Sequence, residues 1–384
     1  MTEVLKGVRV LELGTMITAP LAGMMLADLG ADVIKVERPD GGDPFRSFRG
    51  GLYSPHFIAF NRNKRSVALD LQTDAGKAGL RDLLAGADVL IDNYRPGVLD
   101  RLGFTAETIR TDYPRLIWCS ITGFGAGGPY AERPAYDAVA GALSGIASLT
   151  FDPEAPKTSG PTISDNVTGM YAAYGILGAL YERERTGRGR RVEVNMFESA
   201  VSFIPDSFQN FTKLKLDNGP RTRVATSQSY AFRCADGRLL ALHLSSPTKF
   251  WEALLRVIER PDLAADPRFA TRDGRVRNFV ALEAVLAEAF AQQERSHWIA
   301  RLAREDVPFA PVQTVPEVLA DEQIRHLDTF YEEQHPTEGP LTLVNRPVLI
   351  DGSRDITSRP PPTLGEHTAE VLDGVRNASK TSRD

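Results

Sequence analysis

Over its first 200 residues this chain repeats one pattern, a short Val/Ile/Leu-rich run followed by a stretch with helical spacing, and that alternation constrains the fold more than any other feature. The runs Val8–Leu13 (VRVLEL), Asp32–Val36 (DVIKV), Ser66–Leu71 (SVALDL), Asp88–Asp92 (DVLID), Leu116–Thr122 (LIWCSIT) and Arg191–Asn195 (RVEVN) read as strands. Pro20–Leu29, Ala75–Leu84, Tyr136–Leu149 and Asn166–Glu184 read as helices, the last stopped at Thr186-Gly187. Apolar strands separated by helices make βαβ units, and these assemble into an α/β, Rossmann-like, mostly parallel sheet. Such sheets bind ligands beyond the carboxyl ends of their strands, so the loops there are the first places to search.

The character changes after about Pro220. Ser229–Leu244 reads as a hairpin turned at Ala235-Asp236-Gly237, and a helix comes next over Lys249–Ile258. A further helix sets Phe279, Leu282, Leu286 and Phe290 on one face at a period near 3.6. The expected organisation is a large α/β domain over 1–200, a linker over 201–228, a smaller α+β domain over 229–328, and a Pro-rich, irregular C-terminal segment over 329–384 that returns to the large domain.

Composition narrows the function. Apolar residues make up 42% of the 384 and charged residues 25%, the balance of a soluble globular protein. A net charge of −5 argues against a nucleic-acid partner, which needs a clustered basic surface. Cys119 and Cys234 each fall in a strand-like run and read as small buried hydrophobes in a reducing compartment. No signal-peptide pattern is visible in Met1–Gly7, and the apolar segments are broken short of a membrane span, so a cytoplasmic protein without a membrane partner is expected.

Several motifs carry chemistry only if their context agrees. Gly123-Phe-Gly125-Ala-Gly127-Gly128 matches G-x-G-x-x-G, but Pro129 and Pro134 bracket the next segment, so a loop is expected and not a dinucleotide site. The six histidines show no metal-ligand spacing, and no G-x-S-x-G elbow occurs. Ser164-Asp165-Asn166 precedes a helix carrying Gly169, Ala172, Ala173, Gly175 and Gly178. These three residues are ordinary N-caps. A carboxylate there is also expected to be held ionised by the helix N-terminus, as suits a nucleophile, while the small residues admit another backbone closely. Arg38, the basic loop Asn61-Arg62-Asn63-Lys64-Arg65, and Asn93-Tyr94-Arg95-Pro96-Gly97 with Arg101 place cations beside strands, where a phosphorylated nucleotide could dock.

These stretches resemble the signature segments of the class III CoA-transferases, the CaiB/BaiF-type family that includes formyl-CoA:oxalate and carnitine CoA-transferases. The likeness rests on Gly30–Pro39 (GADVIKVERP), Asn61–Ser66 (NRNKRS), Asn93–Gly97 with Leu99–Phe104 (LDRLGF), Ser164–Met170 (SDNVTGM), Thr186–Gly189, Ala235–Gly237 and Leu364–Thr368, in that order along nearly the whole chain. The resemblance implies Asp165 as the catalytic nucleophile, forming an aspartyl anhydride and then an aspartyl-CoA thioester. It implies coenzyme A contacts at Ile17, Thr18, Arg38, Leu69, Gln72, Asn93, Tyr94, Arg95, Arg101, Arg133 and Tyr136. At Gln72 formyl-CoA transferase has lysine, so a phosphate contact there is not carried over. Also implied are acyl-CoA and a carboxylic acid as substrates, no permanently bound cofactor or metal, and a homodimer of interlocked ring-shaped subunits.

Two rivals share the fold. An α-methylacyl-CoA racemase needs paired acid and base groups, and racemases of this kind carry His-Asp where this chain has Tyr136-Asp137. A CoA-binding scaffold without catalysis would not need Asp165. The donor and acceptor acids are not legible. Arg221 or Arg223, in the segment Asn218–Tyr230, would pair with a second carboxylate if the acid is dicarboxylic, but solvated loop arginines are the stronger reading.

Overall fold

The computed structural model describes residues 3–158, 160–246, 248–354 and 358–381. The chain divides into two compact units, one of Met1–Ala147, Thr158–Pro205 and His326–Asp384, the other of Ser148–Lys157 and Asp206–Arg325.

The first unit holds β1 (Arg9–Glu12), α1 (Thr18–Ala27), β2 (Asp32–Glu37), α2 (Pro55–Asn61), β3 (Lys64–Ala68), α3 (Asp74–Ala85), β4 (Val89–Asp92), α4 (Val98–Arg101), α5 (Ala106–Asp112) and β5 (Ile117–Thr122). Next come α6 (Asp137–Ser144), α7 (Ile146–Thr150), which runs from the first unit into the second, and then α8 (Ile163–Thr186), β6 (Arg191–Asn195) and α9 (Met196–Phe203). These six strands pair in parallel in the order β3-β2-β1-β4-β5-β6, and a separate antiparallel pair, Phe330–His335 with Gly339–Val344, also belongs to this unit. The order reverses between β1 and β4, and the two loops that leave them diverge to opposite faces and open a crevice.

One apolar layer packs β1, β4 and β5 against α1 and α8 through Val10, Ile91, Cys119, Ala22, Ala172 and Ile176. Another packs the opposite face through Leu11, Ile34, Val67, Leu80, Leu83 and Trp118. The last helix of the first unit, Thr368–Thr381, meets β3 and α3. The expected irregular tail is therefore partly ordered, and it covers the edge of β3. Ala68 N–H donates to Thr368 Oγ1 at 3.0 Å and His367 N–H donates to the Ser66 carbonyl at 2.9 Å, which occupies an edge that would otherwise be open to another strand.

Inside the first unit lies an ion network that the strand pattern does not announce. Lys35 Nζ, shielded from solvent, sits 2.8 Å from Glu12 Oε1 and 2.9 Å from Asp43 Oδ2. Lys64 Nζ, equally shielded, sits 2.8 Å from Glu12 Oε2. Burial works against the Lys35 charge, but Asp43, Glu12 and Glu37 outweigh it and hold the pKa above the ordinary lysine value. Burial lowers Lys64 to about 8, since it has Glu12 for support and Lys35 against it. A Cβ on Gly23 of α1 would fall 2.1 Å from Glu12 Oε2, so only glycine admits the carboxylate beneath the helix. The basic loop over 61–65 is thus corrected. Arg62 is paired with Asp28 (Nε to Oδ1, 3.0 Å), Lys64 with Glu12 and Arg65 with Asp32 (Nε to Oδ1, 2.9 Å), and Lys64 and Arg65 are the first residues of β3, at the opposite end from its carboxyl edge.

The second unit contains α10 (Pro205–Leu214), α11 (Thr222–Ser227), β7 (Ser229–Arg233), β8 (Leu239–His243), α12 (Lys249–Val257), α13 (Arg272–Arg277), α14 (Phe279–Phe290), α15 (Arg295–Arg304) and β9 (Phe309–Pro311). The hairpin turns where expected, with Gly237 at φ 77° and Ser229 opposite His243, and β9 adds a third antiparallel strand. Phe279, Leu282, Leu286 and Phe290 are all buried, against Tyr230, Phe232, Trp251 and Trp298. Cys119 and Cys234 are free and buried.

Replacing Glu12 with glutamine leaves two buried ammonium groups sharing a neutral amide. Glu12→Gln should cost about 3–5 kcal/mol of stability, read from the urea midpoint at unchanged m-value. A loss under about 1 kcal/mol would show that the network is not charged as described.

Candidate active site

A cavity of about 310 Å³ opens at the β1/β4 switch point. The β1–α1 loop supplies Thr15, Met16, Ile17 and Thr18. The segment after β4 supplies Asn93, Tyr94, Arg95 and Pro96, and Ile121–Gly123 closes the β5 side. Ala131 and Arg133–Tyr136 form one wall, Asp165 projects from α8, and Met196 from the start of α9 completes the lining.

Asp165 stands in the first turn of α8, which begins at Ile163 after the N-cap Thr162. The Ser164-Asp165-Asn166 triplet is therefore inside the helix and does not cap it. Among the described residues no group donates a hydrogen bond to the Asp165 carboxylate. Its backbone N–H is taken by the Asp137 carboxylate, at 3.2 Å from Oδ1. The carboxyl is half-buried, and its pKa is pushed up from 3.8 to about 6, first by burial and then by the Asp137 charge. The expectation that the helix N-terminus holds this group firmly ionised is reversed, because the dipole acts on a carboxylate with little water and an anion beside it. The small-residue face of α8 does work as expected: a Cβ on Gly169 would meet the Thr18 carbonyl at 2.8 Å, so glycine lets α1 bring Ile17 and Thr18 up to Asp165.

The β1–α1 loop is held from below and from the side. Lys35 Nζ donates to the Gly14 carbonyl at 2.8 Å, and the Asp43 carboxylate accepts the Met16 N–H at 3.1 Å. Met16 carries φ 65°, a left-handed conformation that a β-unbranched residue tolerates only when its surroundings enforce it. On the far side Asp92, buried at the end of β4, accepts the Trp118 indole N–H at 2.7 Å and the Tyr94 N–H at 3.2 Å. Burial pushes its pKa up to about 6. Arg191 lies over the Trp118 ring at 3.7 Å.

The cavity gathers Ile17, Thr18, Asn93, Tyr94, Arg95, Arg133, Tyr136 and Asp165 from the residues singled out in the sequence. Arg38, Leu69, Gln72 and Arg101 lie outside its lining, the first three on the loops that leave β2 and β3 and Arg101 at the end of α4. Leu69 turns its side chain into the core, so only its backbone faces outward. Gln72 is exposed, and Arg38 Nε donates to the Gly42 carbonyl at 3.1 Å. Among the described residues Arg38, Arg95, Arg101 and Arg133 make no ion pair, in contrast to Arg46, Arg62 and Arg65. Guanidinium groups without an ion pair therefore stand beyond the carboxyl ends of β2, β4 and β5, whereas Arg46, also beside the end of β2, is spent on Glu37. The G-x-G-x-x-G stretch is a loop, with Gly125 N–H donating to Thr122 Oγ1 at 2.9 Å and no helix before Asp137. In the second unit Arg221 is paired with Glu283, and Arg223 Nε lies 3.6 Å from Asp206 Oδ2, so both arginines already have carboxylates. Among the described residues no cluster of three His, Cys, Asp or Glu side chains is arranged to hold a metal ion.

Sequence reasoning missed Glu12, Asp43, Lys35 and Asp92, and it read Lys64 as a docking cation where the structure pairs it with Glu12. A signal existed for three of them. Glu12 and Lys35 interrupt strands that the pattern places on both sides in the core, and Asp92 ends another, and charges there need partners.

Fold and site together define a doubly wound α/β protein with a crevice at the switch point, lined by a carboxylate, Asp165, that accepts no hydrogen bond among the described residues. The family model for CoA-transferase family III matches residues 5–368. A formyl-CoA:oxalate CoA-transferase of Streptomyces avermitilis is 34% identical over 395 residues, covering 97% of this chain and 96% of that protein. The mouse succinyl-CoA:glutarate CoA-transferase is 32% identical over 380 residues, covering 97% and 86%. The crystal structure of a CAIB/BAIF family protein from Brucella suis superposes with a TM-score of 0.86 at 32% identity, covering 97% and 99%. The chain belongs to CoA-transferase family III. It is a CoA-transferase, and the non-catalytic scaffold reading falls away.

The Asp165 environment predicts a stability effect with a definite sign. A carboxyl whose folded pKa is raised contributes stability that is complete below its unfolded value and is lost as pH rises through the folded value. Asp165→Asn should therefore melt higher than the parent at pH 7 to 8, with the difference vanishing below about pH 4. Equal melting temperatures at both pH values would contradict the raised pKa.

Proposed function

We propose that this protein moves CoA from an acyl-CoA donor to a carboxylic acid acceptor through covalent intermediates on Asp165. The observation that carries this reading is the Asp165 carboxylate itself: lining the crevice together with Ile17 and Thr18 at the start of α1, and accepting no hydrogen bond among the described residues. An Asp165 oxygen attacks the thioester carbonyl, and the C–S bond breaks to give an acyl-aspartyl anhydride and CoA thiolate. The thiolate then attacks the aspartyl carbonyl and displaces the donor acid, leaving an aspartyl-CoA thioester. The acceptor carboxylate attacks that thioester, and the released thiolate takes the acceptor acyl group, returning Asp165 to a carboxylate. One thioester is exchanged for another, so the protein's work is to hold the pieces together and exclude water. Sparse solvation of the carboxylate favours this by leaving the nucleophile little hydration to shed.

The coenzyme contacts are part of the proposal. The unpaired Arg38, Arg95, Arg101 and Arg133 would meet phosphates, Ile17, Thr18, Tyr94 and Tyr136 would line the thiol arm, and the backbone of Leu69 and Gln72 would lie along the nucleotide. The interlocked homodimer belongs to the same reading, supported by the exposed stripe Met170, Tyr174 and Tyr181 on α8, and light scattering at twice the chain mass would bear it out. So does a cytoplasmic place of action, in keeping with two free thiols. No helix among the described residues is long and apolar enough to cross a membrane.

Asp165→Ala should fold and bind CoA yet exchange nothing, and hydroxylamine should convert Asp165 of the acyl-CoA-treated parent to a hydroxamate visible by peptide mass spectrometry. Normal exchange by Asp165→Ala would end the proposal. Deuterium uptake at the α-carbon of the acyl-CoA without any acceptor acid would point to racemisation instead. In the parent, kcat/KM should fall as pH drops through about 6, where the carboxylate is protonated and ceases to be a nucleophile.

A further inference from the structure

The side chain of Asn93 is placed at the crevice by the sequence, but its bonds turn inward. Its Oδ1 accepts the Thr15 N–H at 3.0 Å, while Nδ2 donates to the Thr15 carbonyl at 2.8 Å and to Thr18 Oγ1 at 3.0 Å. An asparagine amide has two N–H donors, and both are spent within the chain. No donor remains for a phosphate or a carbonyl oxygen of a ligand.

We propose that Asn93 is a positioning residue, which clamps the β1–α1 loop across the switch point and so sets Ile17 and Thr18 against Asp165, and that its side chain does not bind the coenzyme. Asn93 leaves β4 and grips both the N–H and the carbonyl of Thr15, which leaves β1, and this joins the two strands between which the sheet order reverses. The third bond reaches Thr18, the first residue of α1, whose carbonyl lies against Gly169, one turn beyond Asp165. Asp43 and Lys35 hold Met16 and Gly14 independently. Without the clamp the loop therefore stays folded, while Ile17 and Thr18 are free to shift relative to the reacting carboxylate. A displacement of that kind affects the rate of the chemical steps more than binding of the nucleotide.

This role rests on the Asp165 reading for its chemistry, and its test is read in rate and affinity, so it does not depend on trapping an intermediate. Asn93→Ala should lower kcat on the order of 10²-fold while the CoA dissociation constant, measured by calorimetry with CoA alone, stays within about twofold. Thr18→Val removes one acceptor of the clamp at constant shape. In that background Asn93→Ala should cost measurably less than in the parent, and Thr18→Ser, which keeps the hydroxyl, should restore the full effect. Loss confined to KM and CoA affinity with kcat retained would make Asn93 a coenzyme contact and overturn the proposal, as would unchanged kinetics. If Asp165→Ala remains active while Asn93→Ala shows the kcat loss, the nucleophile reading fails and the clamp stands.

Discussion

The ammonium group of Lys35 is the constraint on which the rest of the first unit depends. It lies in the middle of a parallel strand with no access to water, an arrangement that would cost several kcal/mol if left unpaired. Glu12 and Asp43 neutralise it, and each is drawn into place by doing so. Glu12 also takes Lys64, tying β1, β2 and β3 through charge as well as through the ladder. Asp43 reaches on to Met16, and Lys35 itself reaches the Gly14 carbonyl, so the ion network ends as backbone contacts in the loop that borders Asp165. Stability and site geometry are here one set of bonds.

Around that network the crevice is built by close approach. Gly23 makes room for a carboxylate under α1, and Gly169 makes room for α1 against α8. The helix carrying Asp165 can then lie beside the loop after β1 without an intervening layer of side chains. The cost is a carboxylate with few partners, half-buried and next to Asp137, whose pKa rises accordingly. A carboxyl perturbed by burial and a like charge beside a crevice is what the proposed role of Asp165 calls for.

Much of the fold was legible because parallel strands and their covering helices write their burial into the sequence. The strand runs were located within a few residues, and Phe279, Leu282, Leu286 and Phe290 announced their helix by period alone. Boundaries moved where local signals conflict: α8 begins three residues before Asn166, so Asp165 is a first-turn residue, and Gly145 at φ 95° splits the helix expected over Tyr136–Leu149. The site was half legible. Residues on loops after strands could be nominated, since topology sends ligands there, but Arg62, Lys64 and Arg65 look the same in sequence as Arg95 and Arg133. The difference between them is whether a carboxylate distant in the chain reaches them.

By itself, the sequence determined the parallel α/β sheet and the second apolar core, because periodicity and residue type act locally, while Asp165 was nominated by family resemblance and not by its local pattern. Only the tertiary structure decided which charges are spent on one another and which stand free, that Asn93 turns inward, and that Asp165 is held near pKa 6 and not firmly ionised. Those outcomes are sums of long-range Coulomb and solvation terms over groups tens to hundreds of residues apart, and no local pattern encodes such sums.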